Sequence, residues 1–379
     1  MGVPTPQTWA SEISLPVALE VLRRGPISRS EIAQRLQLSP GSLTRLSAAL
    51  VDRGVLLEVG EHNDGRVGRP RRLLDVRADA QHFIGMKLRE SEAIAALTNL
   101  RGEVLASGEW PLADRSPDAV VGVIAQIVDE LRGGRRVHGI GVGIGGIVQS
   151  RSRVSNAPFL GWSDLPLAQM ITEHTGIDAI IDNDVAAFTE YERWFGDGRD
   201  TDRFAVVTLG AGTGFGLVAN GGLVVNEDYG IGLIGHWPLD PSGPLCPRGH
   251  RGCATSILNS DAIARHVSQA LDRRVDYEQA LELAASGQPA ALRVFTDAAR
   301  GVGRILAAIC NLTLPERIII GGEGVGIARV ANAEMIAALR ADRDPRATTP
   351  PIIISQGDNV EWSRGAAVLA IQAFVLGAG

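Results

Sequence analysis

An α/β protein with a small winged helix-turn-helix at its N-terminal end is the fold class this sequence predicts. Three observations carry that expectation. Residues 28–54 read as two cap-signalled helices joined by a tight turn, and an apolar strand, a polar tip and a second strand follow them. Residues 79–379 repeatedly alternate β-branched runs with glycine turns and helical segments, the pattern of strand-loop-helix units. The charge divides at the same place: residues 1–78 hold 11 arginines against 8 acidic residues, and the remainder holds 26 basic residues against 35 acidic ones. A mildly basic head on an acidic body points to nucleic acid.

A chain of 379 residues has room for two or three domains with real cores. Its 45% hydrophobic and 4% aromatic content are those of an ordinary soluble protein. No apolar run approaches the roughly 18–20 residues of a transmembrane helix, so no membrane partner is expected. "MGVPTPQTWASEIS" has neither a basic start nor a long apolar stretch, which argues against a signal peptide. Three cysteines do not make a disulfide framework, and a cytoplasmic location is expected. Lys87 is the only lysine; with the abundance of Ala, Gly and Val it reads as a mark of GC-rich coding.

Taken in order, a first helix is expected at about 15–24, completing a three-helix core. Ser28 and Glu31 form a capping box for the second helix, where Ile32 and Leu36 share a face. Ser39 caps the third, with Pro40 at its first position; Leu43, Leu46 and Leu50 form its apolar stripe and Gly54 suits the left-handed residue beyond its end. Such a pair is a helix-turn-helix. The strands "VLLEV" and "RRLLDV" flank the tip "GEHNDGRVGRP", a wing holding Arg66, Arg69, Arg71 and Arg72. Arginines there suit phosphate contacts or a narrow minor groove. Ser39, Pro40, Gly41, Ser42, Thr44 and Arg45 stand at the start of the third helix, where side chains meet base edges in the major groove. The expected partner of residues 1–78 is an operator in double-stranded DNA; the alternative is a module for protein contacts with solvated arginines.

In the body, "FIGMKLRESEAIAALTNLRGEVLASG" reads as strands separated by a charged turn, with Gly102 at a second hairpin tip. "TLGAGTGFG" places Gly210, Gly212, Gly214 and Gly216 between two strands, either as a phosphate cradle or as a plain hairpin turn. In sequence with "GIGVGIGGIV", "NAPFLGWSDLPLAQMITEHTGIDAIIDNDVAAFTE", "IGH", "GPLC…GHRGC" and "IIIGGEG", these stretches resemble the ROK family of repressors, open reading frames and sugar kinases. The resemblance implies a two-lobed actin-like ATPase fold related to ribonuclease H, covering residues 79–379. Lobe one is then about 79–190 plus a C-terminal helix at about 362–378, and lobe two about 191–361. Members with a winged-helix head are similar to the xylose and N-acetylglucosamine repressors; the family's kinases lack that head.

The family's kinases carry Asp-x-Gly-Gly-Thr in the first hairpin, which holds ATP phosphates and metal. Here "KLRESE" stands in that place, with no glycine to admit a phosphate and with Glu90 and Glu92 to repel one. No ATP and no catalysis are therefore expected. Asn183 and Asp184 match the family's sugar-holding pair, whose Asp is the kinases' base; a capped strand end is the other reading of them. Leu233 replaces the glutamate of Glu-x-Gly-His, and Thr255 replaces a second glutamate, while His236 is kept. Losing two carboxylates at about 1–3 kcal/mol each weakens hexose binding. A modified sugar is then the expected effector, one bearing an acyl group or an anionic group that the amides of residues 210–216 can meet; a non-sugar effector, or none, is the alternative. The family's zinc pattern is His followed by Cys-x-Cys-x4-Cys. His236, Cys246 and Cys253 remain, Arg248 replaces the middle cysteine, and His250 is the substitute ligand, against a metal-free loop. The whole reads as a DNA-binding regulator, a repressor of carbohydrate or related metabolic genes. It is expected to be a homo-oligomer, dimer or tetramer, because a winged helix reads paired half-sites.

Overall fold

Serine caps start the head where the sequence places them. The computed structural model describes residues 13–62 and 71–376. Helix α1 (Leu15–Arg24), the two-residue strand β1 (Ile27–Ser28), α2 (Arg29–Arg35) and α3 (Pro40–Asp52) follow in order. The Ser28 hydroxyl oxygen accepts from the Glu31 amide and Glu31 accepts from the Ser28 amide, a complete capping box. Ser39 accepts from the Ser42 amide at the start of α3. Strands β2 (Leu56–His62) and β3 (Arg71–Val76) pair antiparallel as the wing, with β1 on the far edge of β3. Val17, Val21, Leu22, Ile32, Leu43, Leu50, Leu56 and Leu74 are buried and form the head's core. The stripe on α3 differs from the expected one: Ser47 is buried with Leu43 and Leu50, and Leu46 is half-buried. Burying Ser47 is tolerable because its hydroxyl donates to the Thr44 carbonyl and accepts from Arg29 Nε, both at 3.2 Å.

The body carries one sheet plan twice. In the first copy β4 (His82–Leu88), β5 (Glu92–Asn99) and β6 (Val104–Pro111) form an antiparallel meander. Helix α4 (Pro117–Arg132) then leads to β7 (Val137–Ile144), parallel to β4. A small sheet of β8 (Ile147–Gln149), β9 (Arg153–Ala157) and β10 (Trp162–Leu165), then α5 (Leu167–Thr175), precede β11 (Ala179–Asn183), parallel to β7. Helix α6 (Asp184–Trp194) leads onward. In the second copy β12 (Phe204–Leu209), β13 (Thr213–Ala219) and β14 (Gly222–Leu223) repeat the meander. Four helices follow, α7 (Ala254–Leu258), α8 (Ser260–Leu271), α9 (Tyr277–Ala285) and α10 (Pro289–Thr313). Strand β15 (Arg317–Gly321) then runs parallel to β12, and after α11 (Gly326–Val330) and α12 (Asn332–Ala341) strand β16 (Ile352–Ile354) runs parallel to β15. The strand orders, β6-β5-β4-β7-β11 and β14-β13-β12-β15-β16, agree position by position. This is the duplicated ribonuclease H-like plan of the actin-like fold. Helix α13 (Asn359–Leu376) closes the chain.

Two compact units result. One holds the head, the strands through Ile144, residues 148–187 and the last helix from Ser363; the other holds 145–147 and 188–362. The first packs Ile84, Met86, Ile124, Ile127, Ile140 and Val142; the second packs Val207, Phe295, Val302, Ile320 and Met335. No helix among the described residues is long and apolar enough to cross a membrane.

Glycines on β4 and β7 serve close packing. A Cβ on Gly141 would overlap the Ala366 carbonyl, and one on Gly85 would overlap the Ser363 carbonyl, so α13 lies directly on β4 and β7. Both obstacles are backbone and cannot swing aside. Gly141→Ala is expected to destabilise the chain by about 1–3 kcal/mol, the usual cost of overpacking. Denaturant unfolding checks this, and an unchanged midpoint would show that α13 can move off the sheet at no cost.

Candidate functional site

Ser39, Pro40, Gly41, Thr44 and Arg45 are exposed on the first turns of α3, and Ser42 is half-buried. Local bonds engage three of their hydroxyls. Ser39 Oγ donates to Ser42 Oγ at 3.0 Å, and Thr44 Oγ1 donates to the Pro40 carbonyl at 2.8 Å. Arg45 is thus the long, exposed donor of this face. At the base of the wing Arg72 pairs with Glu58 at 2.8 Å, and Arg29 pairs with the other oxygen of Glu58 at 2.7 Å. Arg72, then Arg29, hold the Glu58 carboxyl below its usual range. Arg72 is therefore already paired within the head. Arg66 and Arg69 lie outside the described residues, as does the side chain of Arg71.

The β4–β5 turn is where the kinases' phosphate turn would stand. Glu90 and Glu92 each carry an arginine partner. Arg115 pairs with Glu90 at 2.8 Å and Arg89 with Glu92 at 3.1 Å, and the Arg89 amide donates to the Glu92 carbonyl. Ion pairs and a backbone bond tie the turn together, while Glu90 itself stays 65% exposed.

Asn183 ends β11 and Asp184 begins α6. Asn183 Oδ1 accepts from the amides of Val185 and Ala186, at 2.9 and 3.2 Å, and Asp184 Oδ1 also accepts from Val185. Both residues therefore cap the helix, which satisfies amides left open at its start. The other Asp184 oxygen meets Lys87 Nζ at 2.7 Å, with the two side chains only 9% and 12% exposed. Register explains the meeting. Lys87 on β4 lies opposite Gly143 on β7, and a Cβ on Gly143 would lie 3.4 Å from Asp184 Cα and 3.5 Å from its Cβ, so a residue without a side chain stands between the lysine and Asp184. Neither carboxylate oxygen of Asp184 is without a partner.

In the second unit the β12–β13 turn takes the equivalent place. There the Glu323 carboxylate accepts from the Ala211 amide at 3.0 Å and fills the space where a Cβ on Gly210 would go. An internal carboxylate occupies part of the cradle that sequence reasoning offered to an anionic ligand. Leu233 opens a short 3-10 helix, Leu233–His236, and is 64% exposed. Thr255 on α7 donates to the Gly235 carbonyl at 2.8 Å, pinning that helix. Asn183 and Asp184 thus belong to the first unit, and Leu233, His236 and Thr255 to the second.

The same helix delivers His236 to a sulfur- and nitrogen-lined cluster. Pro238 bridges Cys253, Leu245 bridges Arg251, and the Cys246 amide donates to the His250 carbonyl. These bonds bring the ligand atoms of His236, Cys246, His250 and Cys253 within 4.8 Å of one another. Cys246 Sγ stands 3.9 Å from His236 Nδ1 and 3.7 Å from His250 Nδ1, and Cys253 Sγ stands 3.8 Å from His236 Nδ1. A tetrahedral zinc with bonds of about 2.0–2.3 Å spaces its ligands about 3.3–3.8 Å apart. The four residues fit a zinc ion. Arg248, whose charge argued against a metal, is exposed and gives its backbone amide to the Cys246 sulfur. Burial pushes the Cys246 thiol up, but the amides of Arg248 and His250, the Cys253 side chain and the Gly249 amide bring it below the ordinary value. Burial, then the charges of His250 and Arg248, keep His236 toward its neutral form, the one that binds metal.

Fold and sites together define a winged helix joined to a duplicated actin-like body in which Glu323 occupies the glycine turn between β12 and β13. The family follows directly. Residues 84–373 match the ROK family, and the chain belongs to it. It is 29% identical over 316 residues to the DNA-binding transcriptional dual regulator NagC of Escherichia coli K12, covering 79% of this chain and 77% of that one. It is 30% identical over 265 residues to the glucokinase of Thermotoga maritima, covering 65% of this chain and 82% of the enzyme. Among solved structures, a ROK family transcriptional regulator described as a homolog of the E. coli MLC protein matches 96% of this chain and 98% of its own. That match has a TM-score of 0.78 at 24% identity, a likeness of fold.

Proposed function

We propose that this ROK protein is a DNA-binding transcriptional repressor, and that its body does not phosphorylate sugars. One juxtaposition carries the reading: a winged helix with an open α3 face precedes a ROK body whose Asp184 is tied to a lysine. A general base must accept a proton from the substrate hydroxyl. One Asp184 oxygen is engaged by Lys87 Nζ and the other by the Val185 amide, so both are occupied where a base would meet a substrate hydroxyl, and Lys87 is the first residue of the stretch that replaces Asp-x-Gly-Gly-Thr. The relatives support the same division, since a regulator-type structure spans head and body alike. A glucokinase is nevertheless among the homologues, so the enzyme assay is decisive. Purified protein given ATP with glucose, N-acetylglucosamine, mannose or xylose is expected to release no sugar-dependent ADP; release that disappears in Asp184→Asn would overturn the reading. Genome-wide recovery of bound DNA tests the regulator, whose targets are expected to lie beside carbohydrate or related metabolic genes in the cytoplasm of the host. Recovery of no enriched sites would count against it.

Asn183 and Asp184 are the residues proposed to meet an effector in the first unit; His236, with Leu233 and Thr255 where carboxylates are lost, are those proposed in the second. Engagement of Asp184 by Lys87 lowers its capacity for sugar hydroxyls further. Glucose, xylose and N-acetylglucosamine are expected to bind no tighter than roughly millimolar, about 4 kcal/mol. The carboxylate of Glu323 in the glycine turn disfavours an anionic group there and leaves an acylated sugar as the better candidate. Micromolar calorimetric binding of an unmodified hexose, abolished by Asp184→Ala, would show contacts beyond those described.

His236, Cys246, His250 and Cys253 are the residues that would hold zinc, as a structural ion joining the 3-10 helix to the loop. The full chain is expected to carry about one zinc, and His250→Ala to lower its affinity by roughly tenfold or more. Metal analysis showing equal zinc in that variant would remove His250 from the ligand set. The oligomeric state proposed is a homodimer, matching paired half-sites.

A further inference from the structure

We propose that Arg101 is the positioning residue that fixes the head on the first lobe and sets the orientation in which α3 meets DNA. The inference rests on the DNA-binding reading of the head. Arg101 stands beside Gly102, at the tip of the β5–β6 hairpin and therefore on the body's own sheet. Its guanidinium donates to the Gly25 carbonyl and to the Asp75 carboxylate, and reaches the Val21 carbonyl at 3.3 Å. Val21 and Gly25 lie at the C-terminal end of α1, where the helix dipole favours a cation; the Val21 carbonyl also accepts from the Gly25 amide at 2.8 Å. Asp75 lies on β3, the central strand of the head's sheet. One body side chain thus grips both the first helix and the central strand of the head.

The site is enclosed. The Arg101 and Asp75 side chains are 17% and 20% exposed. Gly25 leaves room for the guanidinium: a Cβ there would come within 2.6 Å of Arg101 Nη2. The neighbours of Arg101 brace the linker, with the Leu100 amide donating to the Ala78 carbonyl and Asn99 Nδ2 donating to Asp79 at 3.1 Å. From the other side Arg364 Nε donates to the Gly102 carbonyl at 2.9 Å. Arg364 is the second residue of the first unit's share of α13, a helix that begins in the second unit. Within the first unit, hydrogen bonds therefore flank the hairpin tip, one arriving from α13 and the others leaving from Arg101 to α1 and β3. A planar guanidinium forked over oxygens of two elements holds orientation as well as distance, which a single-point contact does not.

The test uses the full chain and a duplex selected in vitro by the wild type. Arg101→Ala is expected to speed amide exchange over residues 21–25 and 75–78 while the amides of β4 and β7 keep their wild-type rates. It is expected to weaken the selected duplex about tenfold at fixed salt, leaving random duplex unchanged, because phosphate contacts belong to the head itself. Lengthening the spacer between half-sites by half a helical turn, about 5 base pairs, should penalise the wild type more than the variant. Arg101→Lys keeps the charge without the fork and should fall between. Unchanged exchange with an unchanged ratio of selected to random affinity overturns the proposal. So does an equal loss on both duplexes with faster exchange throughout the body, which would make Arg101 a folding residue. A wild type that binds no duplex would instead refute the DNA-binding reading, and the exchange measurement would still decide whether Arg101 holds the head.

Discussion

Lys87→Met is expected to lower the unfolding free energy of the chain by about 3–5 kcal/mol, the cost of leaving one charge of a buried pair alone. Methionine fills nearly the volume of the lysine stem but gives Asp184 no cation, and that carboxylate is only 12% exposed. The double variant Lys87→Met/Asp184→Asn is expected to recover most of the loss. Asparagine removes the stranded charge and keeps an oxygen for the Val185 amide. Denaturant titration of wild type, single and double variants provides the cycle. A single variant within about 1 kcal/mol of wild type would show that water or another side chain compensates Asp184, and with it the argument against a free catalytic base would fall.

Operator binding should fail in two distinguishable ways when the head is altered. Arg45→Ala removes the long exposed donor of α3 and is expected to cost about 1–3 kcal/mol on the operator, with little change on random DNA. Changing Arg69 and Arg71 together to alanine should weaken every duplex and reduce the slope of log K against log salt by about 2, one released counterion for each lost phosphate contact. Titrations at several salt concentrations separate these outcomes. A fragment spanning 79–379 that still bound the operator would show that recognition lies elsewhere in the chain.

The head was legible almost entirely, and for a local reason. Capping boxes, a proline in the first turn and a glycine beyond the last helix act over three or four residues, so their pattern survives in the linear text. Even there the exception is tertiary: Ser47 replaces Leu46 in the buried stripe because Arg29, eighteen positions away, supplies its partner. All four residues of the metal cluster were named from the sequence, His236 through the resemblance to the family's pattern. The spacing of Cys246, His250 and Cys253 is local, and the bridge of Pro238 to Cys253 is the physical reason His236 arrives at the same point.

The amino-acid sequence by itself determined the class of the chain, a winged helix ahead of a ROK body, and the loss of the glycines that a phosphate needs. Tertiary structure alone decided what took their place. Lys87 finds Asp184 across 97 positions, Glu323 finds the Ala211 amide across 112, and Arg101 finds Asp75 across 26. Each is one pairing among many that an arginine-rich, acid-rich chain allows, and only strand register and hairpin placement select it. One signal did stand in the text: a single lysine in a chain that otherwise uses arginine throughout. An ammonium on a slim flexible stem can cross a glycine gap to a carboxylate where a forked guanidinium needs more room, and that need becomes visible only when Gly143 is seen lying between them.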